Sequence, residues 1–364
     1  MSVSPVTSSN ITGLTSTQVD FHGGNMACYH PLHAFPIGVN EDTGKPKYQI
    51  EAGYVERIHP RKGHKQIVDQ WITNYTEIPC GQCIGCRLDY SRQWATRCML
   101  EAKEYKHNAF LTLTYDQEHI TWVQGANRET GEVEPVTTLV PEDLTKFMKD
   151  LRRYYKYHYN HDKIRFYACG EYGSKTFRAH FHIIAFNLPI EDKEYFFTNN
   201  AGDKIYLSKT IEQIWGKGQV SIGDVTWNSA AYTARYVMKK VKGKDAERYY
   251  KTLGVVPEFV RMSRREGIGR KYYEENKDKI YELDEIIITS KKGLAQKVKP
   301  SKYYDRLFDL DSPEAMKALK KRRQKLAMES MEIQLAKTSL NKEEYLQVKE
   351  NNKLNQIKTL VRAI

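Results

Sequence analysis

Apolar and polar residues alternate along this chain with two periods, and the changes of period mark out its elements. From Ile84 to His107 the spacing predicts a helix: Leu88, Ala95, Cys98, Met99, Ala102 and Tyr105 recur on one side, with Arg87, Arg92 and Arg97 on the others. Phe110-Leu-Thr-Leu-Thr-Tyr115 alternates and is rich in strand formers. Residues 121–138 read as a polar hairpin or loop. Pro141 then opens an amphipathic helix whose apolar side holds Leu144, Phe147, Met148, Leu151, Tyr154 and Tyr155. Strands follow near 164–170 and 180–187, then a short helix from Ile211 to Trp215 and a strand from Gln219 to Val225. A further helix, with Asn228 as its expected cap, runs to about Val241. The order strand, helix, strand, strand, helix, strand, helix predicts an α+β fold with a mostly antiparallel central sheet.

The flanks are less periodic. Residues 1–25 are Ser/Thr-rich and read as a disordered extension, and 26–79 show no clear period. Residues 243–300 are undecided. Residues 312–337 and 341–350 are charged helix formers with weak apolar stripes, and Lys317 to Lys325 is a basic run within them.

Composition narrows the class. With 364 residues the chain can bury a sizeable core and form more than one folding unit. Lys and Arg number 57 against 45 Asp and Glu, a formal charge of +12 that favours a polyanionic partner. Tyrosines number 25, and Arg152-Arg-Tyr-Tyr-Lys-Tyr157 suits phosphates and unstacked bases, or equally one helix with a wet face. No apolar run is long enough to span a bilayer and no signal peptide is visible, so the expectation is a soluble intracellular protein with no membrane partner. A G-x-x-x-x-G-K-[ST] loop is absent, so any duplex unwinding falls to another protein.

Three constellations carry candidate chemistry. His180-Phe-His182 lies in an apolar strand-like run, so both imidazoles point the same way. Glu171 ends the preceding run, and a hairpin would bring it beside the pair. Two imidazoles and one carboxylate accept Mg²⁺ or Mn²⁺ and leave room for a phosphate oxygen. The competing reading is a pair of structural histidines and a solvated strand end, with His107, His119 and His161 as other third ligands. Tyr232 and Tyr236 sit one helical turn apart and share a face, with Lys239 and Lys240 a turn further on. Tyr155 and Tyr159 repeat that spacing, so it also arises by chance. Cys80-Gly-Gln-Cys83-Ile-Gly-Cys86 packs three thiols into seven residues, which reads as structural zinc before disulfides; Cys28 or His30 would be the fourth ligand. Cys98 and Cys169 read as packing residues.

Taken together, Phe110–Tyr115, Gly170-Glu-Tyr-Gly173 with Arg178-Ala-His-Phe-His182, and Ala231-Tyr-Thr-Ala-Arg-Tyr-Val-Met-Lys-Lys240 resemble the motifs of the rolling-circle replication initiators of the Microviridae, especially the gokushovirus-like group, within the HUH endonuclease superfamily. Cys80–Arg87 and Met262-Ser-Arg-Arg-Glu-Gly-Ile-Gly269 resemble further segments of that group, and the match reaches from about Met26 to Gly269. The resemblance implies a ferredoxin/RRM-like palm, with a Cys-rich N-terminal region over 26–107, a nuclease core over 108–245, a family-specific extension over 246–300 and a charged helical region over 301–364. It implies a metal-dependent endonuclease and strand transferase in which His180, His182 and Glu171 hold the metal, Tyr232 and Tyr236 are nucleophiles, and Lys239 or Lys240 orients a phosphate. One tyrosine would nick the plus-strand origin and keep the 5′ phosphate, and the second would cut the regenerated origin. Implied partners are single-stranded and supercoiled phage DNA with host helicase and polymerase, in the cytoplasm of the bacterial host.

Two departures stand out. Relatives often begin near Met-x-Cys, so Met26-Ala-Cys28 is expected to be the functional start, or 1–25 dispensable. Position 179 is Ala where relatives often carry Pro, an exchange expected to be harmless. The residues alone leave three rivals: a plasmid or transposon nickase, a non-enzymatic zinc-containing DNA-binding protein, and a metallo-hydrolase of small substrates.

Overall fold

The computed structural model describes residues 28–41, 44, 46–52, 57–58, 70–71, 75–126, 132–161, 163–173, 176–235, 241, 246–289 and 295–358. The expected extension over 1–25 lies outside them. The centre of the molecule is a seven-stranded sheet in the order β11-β12-β13-β6-β10-β9-β14, antiparallel at every pairing. Its strands are β6 (Asn108–Thr114), β9 (Arg165–Tyr172), β10 (Ala179–Phe186), β11 (Glu194–Thr198), β12 (Lys204–Leu207), β13 (Val220–Gly223) and β14 (Phe259–Met262). Ahead of the sheet, β1 (Leu32–Val39), β2 (Pro46–Glu51) and β5 (Thr76–Ile78) form a three-stranded sheet around the fully buried Phe35, and β3 (Arg57–Ile58) pairs with β4 (Gln70–Trp71). Two further hairpins are β7 (Trp122–Ala126) with β8 (Val133–Thr137), and β15 (Ile286–Thr289) with β16 (Ala295–Val298).

Helices cover both faces of the central sheet, which explains why β9 and β10 are apolar at nearly every position. On one face, α2 (Pro141–Tyr159) and α3 (Lys209–Trp215) pack Leu144, Phe147, Leu151 and Trp215 onto Leu111, Leu113, Phe181 and Ile183. Each such fully buried side chain contributes about 1.5–3 kcal/mol. On the other face, α1 (Ile84–Lys103) and α4 (Trp227–Ala234) lay Ala95, Cys98, Ala230 and Ala234 over Phe110, Tyr167, Ile184 and Phe186. Strand alternation separates the two sets: Leu111 and Leu113 face α2, while Phe110 and Thr112 face α1 and α4.

Two boundaries depart from the expectation. The first helix stops at Lys103, short of His107, because the Asn108 side-chain amide donates to the carbonyls of Ala102 and Tyr105 and turns the chain into β6. The cap of α4 is Thr226 rather than Asn228: the Thr226 and Ser229 side chains satisfy each other's backbone N–H groups in a reciprocal capping box, which leaves Asn228 inside the first turn.

The remaining helices are α5 (Ala246–Leu253), α6 (Arg270–Leu283), α7 (Lys302–Asp311), α8 (Pro313–Leu335) and α9 (Lys342–Lys358). A third buried cluster joins Leu100 of α1 to Tyr273, Ile280, Ile286, Val298, Tyr304, Met316 and Leu319, so residues on both sides of position 300 share one core. Arg97 of α1 lies between the rings of Trp94 and Tyr303, 4.1 and 3.9 Å from their centroids, and donates to the Ile268 carbonyl.

Candidate active site

The β9–β10 ladder sets His180 directly opposite Glu171, and the β10–β6 ladder sets His182 opposite Thr112. All four side chains lie on the face covered by α1 and α4. Glu171 and His182 are each only 1% exposed. The two imidazole Nε2 atoms are 3.1 Å apart, and Glu171 Oε1 lies 3.3 Å from that of His180 and 3.4 Å from that of His182. His180 Nδ1 is 2.9 Å from the Arg178 carbonyl, which can only accept, so that nitrogen carries the proton and Nε2 offers a lone pair. His182 Nδ1 is 3.0 Å from the Thr112 hydroxyl, which orients its ring in the same sense.

Three electron-rich atoms thus converge from one side. Adjacent corners of an octahedron with bonds of about 2.1 Å are about 3.0 Å apart, so the trio fits one face of a small divalent cation and leaves the opposite face open. The donor set, two nitrogens and one hard oxygen, suits Mg²⁺ or Mn²⁺.

The fourth member comes from α4. The capping box fixes where that helix starts, and Ala230, Ala231 and Ala234 let its backbone come close to α1 and the sheet. The Ser91 hydroxyl of α1 donates to the Ala231 carbonyl at 3.2 Å. Tyr232 then stands edge-on to His182, ring centroids 4.9 Å apart at 89°, and its hydroxyl donates to Glu171 Oε1 at 3.2 Å. Phe110 stacks on the far side of His182, nearly parallel at 10°. Tyr236, Lys239 and Lys240 lie outside the described residues.

The other sequence candidates are elsewhere. His119 pairs with Asp116 at 2.8 Å, and His161 meets the Asn187 carbonyl at 2.7 Å. Among the described residues the trio is Glu171, His180 and His182, and neither these two histidines nor His107 joins it. Tyr155 is on the opposite face of the sheet, where its hydroxyl donates to the Pro189 carbonyl and burial pushes its pKa up. Thr112 and Phe110 were not singled out by sequence reasoning. The alternation of β6 was the available signal, since it places both on the face of the histidines.

The four sulfurs of Cys28, Cys80, Cys83 and Cys86 form a second cluster, all within 4.8 Å of one another. His30 is instead 2.6 Å from Glu350. So close together, the thiols do not ionise alike: hydrogen bonding with Cys28 and Cys86 holds Cys83 below its ordinary value, and Cys83 pushes Cys28 up to about 11. Cys98 and Cys169 are fully buried in the sheet region, and burial pushes the Cys98 thiol up.

The class of protein follows from comparison with known families. The model of the replication-associated protein ORF2 family matches residues 108–241, from the first residue of β6 to just beyond α4, and so spans the whole centre. The chain is 37% identical to replication-associated protein ORF2 of Spiroplasma virus 4 over 93% of its own length and 98% of that protein's. It is 30% identical to replication-associated protein VP4 of Bdellovibrio phage phiMH2K over 58% of its own length and 62% of that protein's. It is 34% identical to replication-associated protein ORF4 of Chlamydia phage 1 over 45% and 38%. The chain belongs to this family of replication-associated proteins of Microviridae phages. No solved structure matches it. Among the described residues no helix is long and apolar enough to cross a membrane.

Proposed function

We propose that this protein initiates rolling-circle replication by nicking the plus-strand origin of phage DNA, holding the 5′ end as a phosphotyrosine, and later rejoining the displaced strand. The observation that carries this reading is the Tyr232 hydroxyl on the same Glu171 oxygen that faces both imidazoles. Glu171, His180 and His182 would hold Mg²⁺ or Mn²⁺. When bound, such an ion polarises the scissile phosphate and stabilises its developing charge.

The chain's own residues supply the rest. A phenol titrates near pH 10, so the Tyr232 proton has to leave as the oxygen attacks phosphorus, and Glu171 Oε1 is the acceptor already in contact with it. The bond from phosphorus to O3′ breaks, O3′ takes up a proton, and the 5′ phosphate stays on Tyr232. The new linkage is still a phosphodiester. A 3′ hydroxyl attacking it frees the tyrosine and rejoins the strand without ATP. Tyr236 would serve as the second nucleophile, and Lys239 or Lys240 would orient a phosphate. A charge of +12 suits single-stranded and supercoiled DNA. Host helicase and polymerase would complete the reaction in the host cytoplasm.

The test uses end-labelled single-stranded oligonucleotides tiling a candidate origin, with Mn²⁺ or Mg²⁺, resolved on a denaturing protein gel. The expected result is a metal-dependent labelled adduct that vanishes only in the Tyr232→Phe/Tyr236→Phe double variant. Binding with neither adduct nor cleavage would point to a non-enzymatic DNA-binding protein.

A further inference from the structure

We propose that Cys28, Cys80, Cys83 and Cys86 bind one zinc ion, and that this ion builds the seat on which the C-terminal helix α9 docks. The site is independent of the nicking chemistry, since it lies at the opposite end of α1 from the core packed under Leu100.

The geometry is that of a tetrahedral thiolate cage. Zinc–sulfur bonds of about 2.3 Å place adjacent sulfurs about 3.8 Å apart. Cys28 and Cys83 sulfurs are 4.0 Å apart, and all four fall within 4.8 Å. None of the six cysteines is in a disulfide. The ligands come from two segments 52 residues apart, and short backbone turns hold them. The Cys80 N–H donates to Cys28 Sγ at 3.2 Å, the Cys83 N–H to Cys80 Sγ at 3.3 Å, and the Gln82 N–H to Cys80 Sγ at 3.4 Å. The Tyr29 and Cys86 N–H groups point at Cys83 Sγ from 3.4 and 3.5 Å. Amide donors aimed at sulfur suit thiolates, and such contacts orient metal ligands. Cys83 is also the N-cap of the 20-residue α1, whose dipole favours a negative sulfur there.

The second half of the inference rests on what covers the cage. Tyr29, Cys83 and Leu346 form a buried cluster against which Cys28, Cys80, Ile84, Cys86 and Met331 pack. Leu346 belongs to α9 and Met331 to α8. Two polar contacts fasten the same helix: His30 to Glu350 at 2.6 Å, immediately beyond the cage residues Cys28 and Tyr29, and Lys342 to Glu77, just before Cys80. With so little apolar area, this end of the molecule depends on the metal to fix the two segments that receive α9.

The experiment uses the full-length protein purified anaerobically without chelator. Elemental analysis is expected to give one zinc per chain, and cobalt exchange to give the intense ligand-field spectrum of a tetrahedral thiolate site. Cys80→Ser and Cys86→Ser should each lose that zinc, while His182→Ala keeps it. Stripping the metal should speed hydrogen exchange over residues 342–358 at least about tenfold. A metal-free protein that takes up no zinc on reconstitution, a native disulfide between Cys28 and Cys83, or zinc retained by both serine variants would each overturn the site. Unchanged exchange in α9 after stripping would overturn the docking role.

Discussion

The hydroxyl of Tyr232 and the carboxylate of Glu171 meet at 3.2 Å, on the one oxygen that also faces both histidine Nε2 atoms. A candidate nucleophile and a candidate ligand are therefore separable by substitution. Tyr232→Phe is expected to leave divalent-ion binding intact by calorimetry while removing its own adduct. Glu171→Gln should weaken ion binding by more than about tenfold and abolish cleavage. Equal effects on ion binding would contradict this division.

His182→Ala should eliminate cleavage and spare single-strand binding. The fold loses a ring stacked on Phe110, an aromatic contact worth about 0.5–1.5 kcal/mol beyond its burial. Filter binding beside a thermal melt would separate loss of chemistry from loss of fold; binding and fold lost together count against the assignment.

Thr112 acts through His182. Thr112→Val keeps the shape of β6 and removes the oxygen 3.0 Å from His182 Nδ1. Losing a partner that orients a metal-binding imidazole costs about 10–100-fold in metal affinity. Manganese titrations should show that weakening, with Thr112→Ser restoring it; a valine variant that binds as wild type would mean that packing alone orients the ring.

Tyr155→Phe should cleave normally. Its hydroxyl serves the Pro189 carbonyl on the far face of the sheet, so the expected change is a stability loss of about 0.5–1.5 kcal/mol in denaturant titration. A cleavage defect with unchanged stability would show that the wrong tyrosine pair has been chosen.

Asp284 makes the packing of α8 pH-dependent. Burial works to raise its pKa, but hydrogen bonds from Arg323 and Lys299 outweigh it and hold the carboxyl below its ordinary value. The unfolded carboxyl titrates near 3.9, so the stabilisation is complete above that pH and is lost as pH falls through the lower folded value. Asp284→Asn should lower the melting temperature at pH 7, and the gap should narrow below about pH 4. A constant gap across that range would assign the loss to packing.

The central sheet was legible because β6, β9 and β10 announce themselves by alternation and strand-forming residues, and α2 by its clean apolar stripe. Their pairing carried Glu171 to His180 as well, since the 173–178 turn leaves few registers. The hairpin of β11 and β12 was not legible: Tyr195, Phe196 and Phe197 are all exposed, so their apolar character marks no buried face. The segment 243–300 was undecided because its core is borrowed. Tyr273 and Ile280 gain partners only from Leu100, Tyr304 and Met316, far away in the chain. Nor could spacing choose between Cys28 and His30, two residues apart; that took the backbone turn that aims Cys28 at Cys83 and His30 at Glu350.

Glu171 and His180 are directly opposed rungs of an antiparallel ladder, and His182 is two rungs along. A slip of one residue would send all three to the α2 face, among Leu144 and Phe147. Insertions in the turn between the strands are absorbed outside the ladder, whereas a single deletion inside it would erase the whole centre at once. A lineage carrying this protein can therefore vary its loops freely while its catalytic alphabet stays in phase, read in steps of two.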